Sequence, residues 1–193
     1  MKTNQYLALA GYFWIAWALF WFYSSRKVKT EIFHQGPLER VLHLGKLVLA
    51  FLLLFAGPIY VGVFSAQLWP ANQLTGILGL VISLGGVLWM IWARLHLGAN
   101  WSAHVSLKQD HELIQSGPYQ ITRHPIYTGF ILAILGDTII VGQVRGLIAL
   151  IIVIYTFSAK MRLEEEILKK QFPNQYSQYA MRVKRLIPFI FLQ

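Results

Sequence analysis

The 193-residue chain contains no cysteine, which excludes a disulfide, a thiolate metal site and a cysteine nucleophile. Charge is scarce as well: only 13% of residues are Asp, Glu, Lys or Arg, against about 25% in soluble domains. No G-x-G-x-x-G follows a strand and no G-x-x-x-x-G-K-[ST] occurs, so both soluble nucleotide cradles are missing. Ser102, Ser106 and Ser116 lack the context of a nucleophile elbow, which leaves a serine hydrolase without support. What the chain does have is apolar surface, with 56% hydrophobic and 15% aromatic residues and a positive mean hydropathy. It reads as an integral membrane protein. A net charge of +9 would suggest nucleic acid in a soluble chain. In a membrane protein it reads instead as cytoplasmic loops rich in Lys and Arg, with no nucleic acid involved.

A hydrocarbon core about 30 Å thick needs roughly 20 apolar residues per crossing. Runs at 6–23, 46–67, 74–96, 126–141 and 147–159 predict an all-α integral membrane fold with five transmembrane helices. A polar interfacial connector over 97–124 and a C-terminal amphipathic tail from 160 complete a single domain, 1–193. The first run is too long and aromatic for a signal peptide, and no small-x-small cleavage site follows it. Pro58 predicts a kink in the second span, and Gly79 and Ser83 in the third suit a close helix contact and ordinary lipid-facing packing equally. Residues 142–146 predict a tight turn joining the last two spans as a hairpin, with Asp137 and Arg145 near its outer end. Glu164, Glu165 and Glu166 predict the opening of a separate tail helix.

Five crossings put the termini on opposite sides. Only Lys2 and Arg145 of the 17 Lys and Arg residues then fall on the N-terminal side, leaving 15 on the other. That asymmetry predicts an N-terminus outside and a C-terminus in the cytoplasm, at the cell (inner) membrane of a prokaryote or the endoplasmic reticulum of a eukaryote. All six histidines share the cytoplasmic side. His96, His104, His111 and His124 raise metal or haem ligation, but no H-E-x-x-H or i, i+4 pairing with an acid supports it, so no metal is expected.

The densest polar stretch is 117–129, Gly-Pro-Tyr-Gln-Ile-Thr-Arg-His-Pro-Ile-Tyr-Thr-Gly. Pro125 suits the first turn of a helix, where N–H groups lack intrahelical partners. Arg123 and His124 therefore flank a helix N-terminus, which suits a carboxylate or phosphate. By themselves they read better as headgroup anchors.

Several segments return to that same face: Leu97-Gly98-Ala99-Asn100-Trp101-Ser102, His111-x-Leu113-Ile114, Gly117-Pro118-Tyr119 and Arg123-His124-Pro125-x-Tyr127-x-Gly129. Glu164-Glu165-x-x-Leu168 and Phe172-x-x-x-Tyr176-x-x-Tyr179, then Arg185 and Pro188, complete the set. In this order the set resembles the isoprenylcysteine carboxyl methyltransferase family of integral membrane enzymes and, more distantly, the phospholipid N-methyltransferases. The resemblance covers roughly the C-terminal half; the first two spans carry no signature.

The resemblance implies S-adenosylmethionine as methyl donor, bound by 97–129 together with 160–188. It implies that His111, Leu113, Ile114 and Tyr119 surround the adenosine part. His124 and Tyr127 would then hold the methionine part, with Glu164 and Glu165 closing the site. It also implies a cation facing the acceptor carboxylate shortly before the acid pair. Lys160, with Arg162 nearby, stands there in place of the expected arginine, a point charge in place of a planar fork. The implied partners are membrane lipid and a lipophilic or prenylated acceptor. Phospholipid amine N-methylation and methylation of a small lipophilic thiol or amine are the neighbouring alternatives. A non-enzymatic ligand-binding or transport protein is the alternative of another class. No internal repeat supports transport, and Asp137 is the only acid within the expected spans.

Overall fold

The computed structural model describes residues 3–26, 36–56, 61–98 and 113–186. Six α-helices lie among them: α1 (Thr3–Ser24), α2 (Pro37–Phe55), α3 (Gln73–Leu97), α4 (Pro125–Val141), α5 (Val144–Gln171) and α6 (Pro173–Arg182). Short 3-10 turns occupy Gly62–Ser65 and Gly117–Gln120.

The expectation of five transmembrane helices is corrected by these bounds. Among the described residues, three helices are long and apolar enough to cross a membrane: α1, α3 and α5. α2 begins at Pro37 and ends at Phe55, well before the expected Gln67, and its 19 residues include Glu39, Arg40 and Lys46. Pro58, the expected kink, lies outside the described residues. α4 has 17 residues, which at about 1.5 Å each reach about 25 Å, short of a 30 Å core. α5 differs in the opposite sense. It runs unbroken through Ala159 to Gln171, so the three glutamates lie inside one 28-residue helix and do not open a new one. No Gly or Pro interrupts 147–172, and Lys, Arg, Leu and Glu are good helix formers. Pro173 then starts α6, an arrangement the first turn of a helix tolerates.

The elements pack in alternating directions. Tyr6 sits against Gly76 at one end of α1 and α3. At the other end, Arg94 of α3 donates to the Ser24 carbonyl of α1 (2.6 Å), so these two helices run parallel. α4 returns antiparallel along α3 through a seam of small residues. A Cβ at Gly136 would lie 2.4 Å from the Gly79 carbonyl and from the Ser83 nitrogen, and one at Gly86 would lie 2.5 Å from the Gly129 carbonyl. Of the two readings of Gly79 and Ser83, the close helix contact is the one formed, with α4. Gly136→Ala should lower stability by about 1–3 kcal/mol, because backbone on both sides must move apart. A thermal unfolding midpoint equal to wild type would contradict that close approach.

Asp137 lies inside the molecule and not at a hairpin tip. It accepts hydrogen bonds from Trp14 Nε1 (2.6 Å) and Ser83 Oγ (2.8 Å), joining α1, α3 and α4. Gly142, at φ 63°, ends α4 in the left-handed conformation that glycine adopts without strain. α5 starts two residues later, and Arg145 donates from Nη1 to the Leu53 and Leu54 carbonyls at the C-terminus of α2. A cation there satisfies carbonyls that the helix itself leaves open. Trp14, Phe51, Phe130 and Phe157 pack between the helices as one aromatic core.

Candidate functional site

At the end of the bundle opposite Arg145, the loop before α4 is stitched to the chain following α6. The Arg123 amide donates to the Lys184 carbonyl (2.8 Å) and the His124 amide to the Arg185 carbonyl (3.1 Å). Thr122 Oγ1 donates to Arg185 (2.8 Å) and Thr128 Oγ1 to Leu186 (2.8 Å), both at backbone carbonyls. These bonds fix His124 as the residue that caps α4, directly before Pro125.

Two adjacent glutamates of α5 meet this junction and do different work. Glu165, with its side chain 4% exposed, is enclosed by cations. Its Oε1 accepts from Arg123 Nε (3.0 Å) and Arg185 Nε (3.1 Å), and Oε2 accepts from Arg185 Nη2 (2.5 Å). His124 Nε2 lies 3.2 Å from Oε1. Arg123 also donates to the Ala180 and Val183 carbonyls at the end of α6 (3.0 and 2.6 Å). Arg123 is therefore an internal strut and not the open anion donor that its place before Pro125 suggested.

Glu164 retains access to solvent, its side chain 24% exposed. Tyr127 donates its hydroxyl to Oε1 (2.5 Å), and His124 Nδ1 lies 3.4 Å from Oε2. The Tyr127 ring is stacked between His124 (centroids 5.6 Å) and Phe157 (4.7 Å), and Lys160 Nζ lies 5.7 Å from its centroid. His124, Tyr127, Lys160 and Glu164 thus form one polar group at the edge of the aromatic core. Arg162 is exposed, about 200° around the helix from Lys160, so of the two expected cations Lys160 alone joins this group.

Tyr119 is buried, and its carbonyl accepts from the Tyr179 hydroxyl (2.6 Å). Burial, and after it the charge of Glu164, push the Tyr119 phenol well above its ordinary value. Leu113 packs against Tyr176, Tyr179 and Val183, while Ile114 beside it is partly buried. His111 lies outside the described residues. The role of Arg185 could not be read from the sequence, where it ends a basic run with Arg182 and Lys184. Those two are exposed and Arg185 alone turns inward, between exposed Lys184 and buried Leu186.

Burial alone would lower the His124 pKa, but the hydrogen bonds and charges of Glu164 and Glu165 outweigh it and hold it above the ordinary value. A raised pKa contributes stability that is complete below the unfolded-state value, about 6.5, and is lost as pH rises through the folded-state value. Unfolding midpoints of wild type and His124→Gln should therefore converge as pH is raised from about 6 to about 9. A gap that stays constant over this range would contradict a protonated His124.

The fold and this junction define a class: a multi-pass integral membrane protein whose ionisable cluster sits at one end of an apolar helical bundle. A sequence model of the isoprenylcysteine carboxyl methyltransferase (ICMT) family matches residues 77–170. Just under half of the chain is thus similar to that family. It is 31% identical over 115 residues to protein-S-isoprenylcysteine O-methyltransferase B of Arabidopsis thaliana, covering 58% of each chain. It is 32% identical over 131 residues to protein-S-isoprenylcysteine O-methyltransferase of Saccharomyces cerevisiae, covering 66% of this chain and 54% of that one. The solved structure of the eukaryotic intramembrane Ras methyltransferase ICMT superposes with a TM-score of 0.57 at 25% identity, covering 82% of this chain and 55% of that one. The chain therefore spans a little over half the length of the curated relatives described here.

Proposed function

We propose that the protein is an S-adenosylmethionine-dependent methyltransferase whose acceptor is a lipophilic carboxylate of the isoprenylcysteine type. The observation that carries this reading is Glu164, a partly exposed carboxylate beside a phenol, an imidazole and an ammonium. This donor set fits a cofactor that bears an ammonium, a sulfonium and a carboxylate together. When bound, the cofactor supplies a methyl group on a sulfonium, which passes to a nucleophile by direct displacement.

Glu164 meets the cationic part in this reading. His124 and Tyr127 orient the methionine end, and Tyr119 with the segment 111–114 encloses the adenosine. Glu165 takes no part in contact; it holds His124 and the tail in place. Catalysis then rests on alignment and on the exclusion of water, with no protein nucleophile required. Tyr127 and Phe157 separate the polar group from the apolar core, so a lipophilic acceptor can approach from the bilayer side.

The site end faces the cytoplasm in this account, where a soluble cofactor is supplied. Its described basic residues include Arg26, Arg40, Arg94, Lys169, Lys170, Arg182 and Lys184, whereas Arg145 stands at the far end. α1 starts at the far end, which puts its N-terminus outside.

Purified protein in vesicles, given methyl-labelled S-adenosylmethionine and a panel of acceptors, tests this. The panel contains a prenylated cysteine acid, its amide, a phosphatidylethanolamine and a lipophilic thiol. Labelled, base-labile ester from the acid alone is the expected result. Label in the phospholipid amine or the thiol would contradict the carboxylate acceptor, and label in none would contradict the methyltransferase.

A further inference from the structure

The core-facing side of α2 continues past its apolar residues toward the site. Leu54, Ala50 and Leu47 belong to the core, and the same spacing of three and four leads on to His43 and Arg40. Both are partly buried, while their neighbours Glu39, Val41, Leu42 and Leu44 are exposed. α2 lies antiparallel to α5, and three contacts fix the register. Arg145 meets the Leu53 and Leu54 carbonyls. Lys46 Nζ lies 5.3 Å from the Tyr155 ring centroid, and His43 lies 6.0 Å, centroid to centroid, from Phe157.

Every step along that register lowers the α2 number and raises the α5 number by a similar amount. One more turn puts Arg40 level with Lys160, one turn short of Glu164. The Arg40 Nε is buried and makes no hydrogen bond, a costly state for a cationic donor. Glu39, the acid of α2, is on the exposed side. Two cations from facing helices therefore share one level, and one of them has a buried donor unused. An anion from outside the chain would take up that donor and lie between the two cations.

We propose that Arg40 and Lys160 form a carboxylate clamp for the methyl acceptor, with His43 bounding it on the core side. This rests on the methyltransferase reading and adds to it a residue from the half of the chain that carries no family signature. In the transfer, a carboxylate oxygen forms the new O–CH3 bond as the S–CH3 bond breaks, and that electron pair stays on sulfur. The acceptor changes from an anion to a neutral ester, and the sulfonium becomes a neutral thioether. The clamp therefore grips the acid and releases the ester, so the chemistry itself frees the product.

The test uses the full-length protein in phosphatidylcholine vesicles with a prenylated cysteine acid as acceptor. Arg40→Gln should raise the acceptor KM roughly ten- to a hundredfold, leave S-adenosylmethionine affinity unchanged and abolish the preference for binding acid over methyl ester. Arg40→Lys should recover part of that preference, and Glu39→Gln should match wild type. Unchanged cofactor affinity also certifies that the Arg40→Gln protein is folded. Wild-type KM and wild-type preference in Arg40→Gln would overturn the clamp. So would a defect seen only in phosphatidylglycerol vesicles, which would make the occupant a lipid phosphate. A wild-type protein that binds no S-adenosylmethionine would overturn the methyltransferase reading itself, a failure distinct from that of the clamp.

Discussion

Glu165→Gln should destabilise the protein by about 3 kcal/mol, and the damage should begin at the tail. Removing one member of a buried ion pair costs about 3–5 kcal/mol, because the remaining charge is left uncompensated. The lower end applies here, since Arg123 and Arg185 side chains keep 10% and 16% exposure and hence some water. Glutamine preserves the shape but removes the charge that two guanidiniums and an imidazole share. With it goes the tie that holds the chain after α6 against the loop before α4. A lowered unfolding midpoint should therefore accompany faster tryptic cleavage at Arg182 and Lys184, both exposed already. A large drop in midpoint with unchanged cleavage of the tail would place the loss elsewhere and contradict this role.

The sequence marked Glu164 and Glu165 as a pair and could not separate them. Adjacent helical positions differ by about 100° in direction, so only the surroundings decide which carboxylate is enclosed. Those surroundings come from Arg123 and Arg185, 42 and 20 residues away from Glu165. The helical class, the turn after α4 and the meeting of His124 with Glu164 were legible, because Pro125, Gly142 and the returning apolar run are local signals. The spans were not. The basic stretch 24–45 conceals the start of α2 at Pro37. A hydropathy boundary at Ala159 marks where α5 turns polar, which is not where it stops. Arg40 and His43 were hidden for a related reason: they sit in what reads as a loop until the helix they belong to is known.

Glu164→Gln should weaken S-adenosylmethionine binding roughly ten- to a hundredfold, the equivalent of about 1.5–3 kcal/mol for one charge-assisted hydrogen bond. Stability should fall less than in Glu165→Gln, because Glu164 keeps solvent access and its contacts with Tyr127 and His124 lie at the edge of the core. Glu166→Gln is the internal comparison. Glu166 is exposed and points about 200° away from Glu164, so its loss should leave affinity unchanged. Calorimetric titration of the two variants beside wild type separates a ligand contact from a general loss of negative charge on α5. Equal losses in both variants would mean that the helix's charge alone matters, and Glu164 would then be no cofactor contact.

The proposed position of the cofactor is the junction of His124, Tyr127 and Glu164. Photochemical cross-linking of labelled S-adenosylmethionine to wild-type protein, followed by peptide mapping, tests it most directly. Label should fall on peptides containing Tyr119 to Tyr127 or Glu164, and unlabelled cofactor should compete it away. Competable label confined to residues 61–72 or 142–146, at the opposite end of the bundle, would contradict the site as assigned.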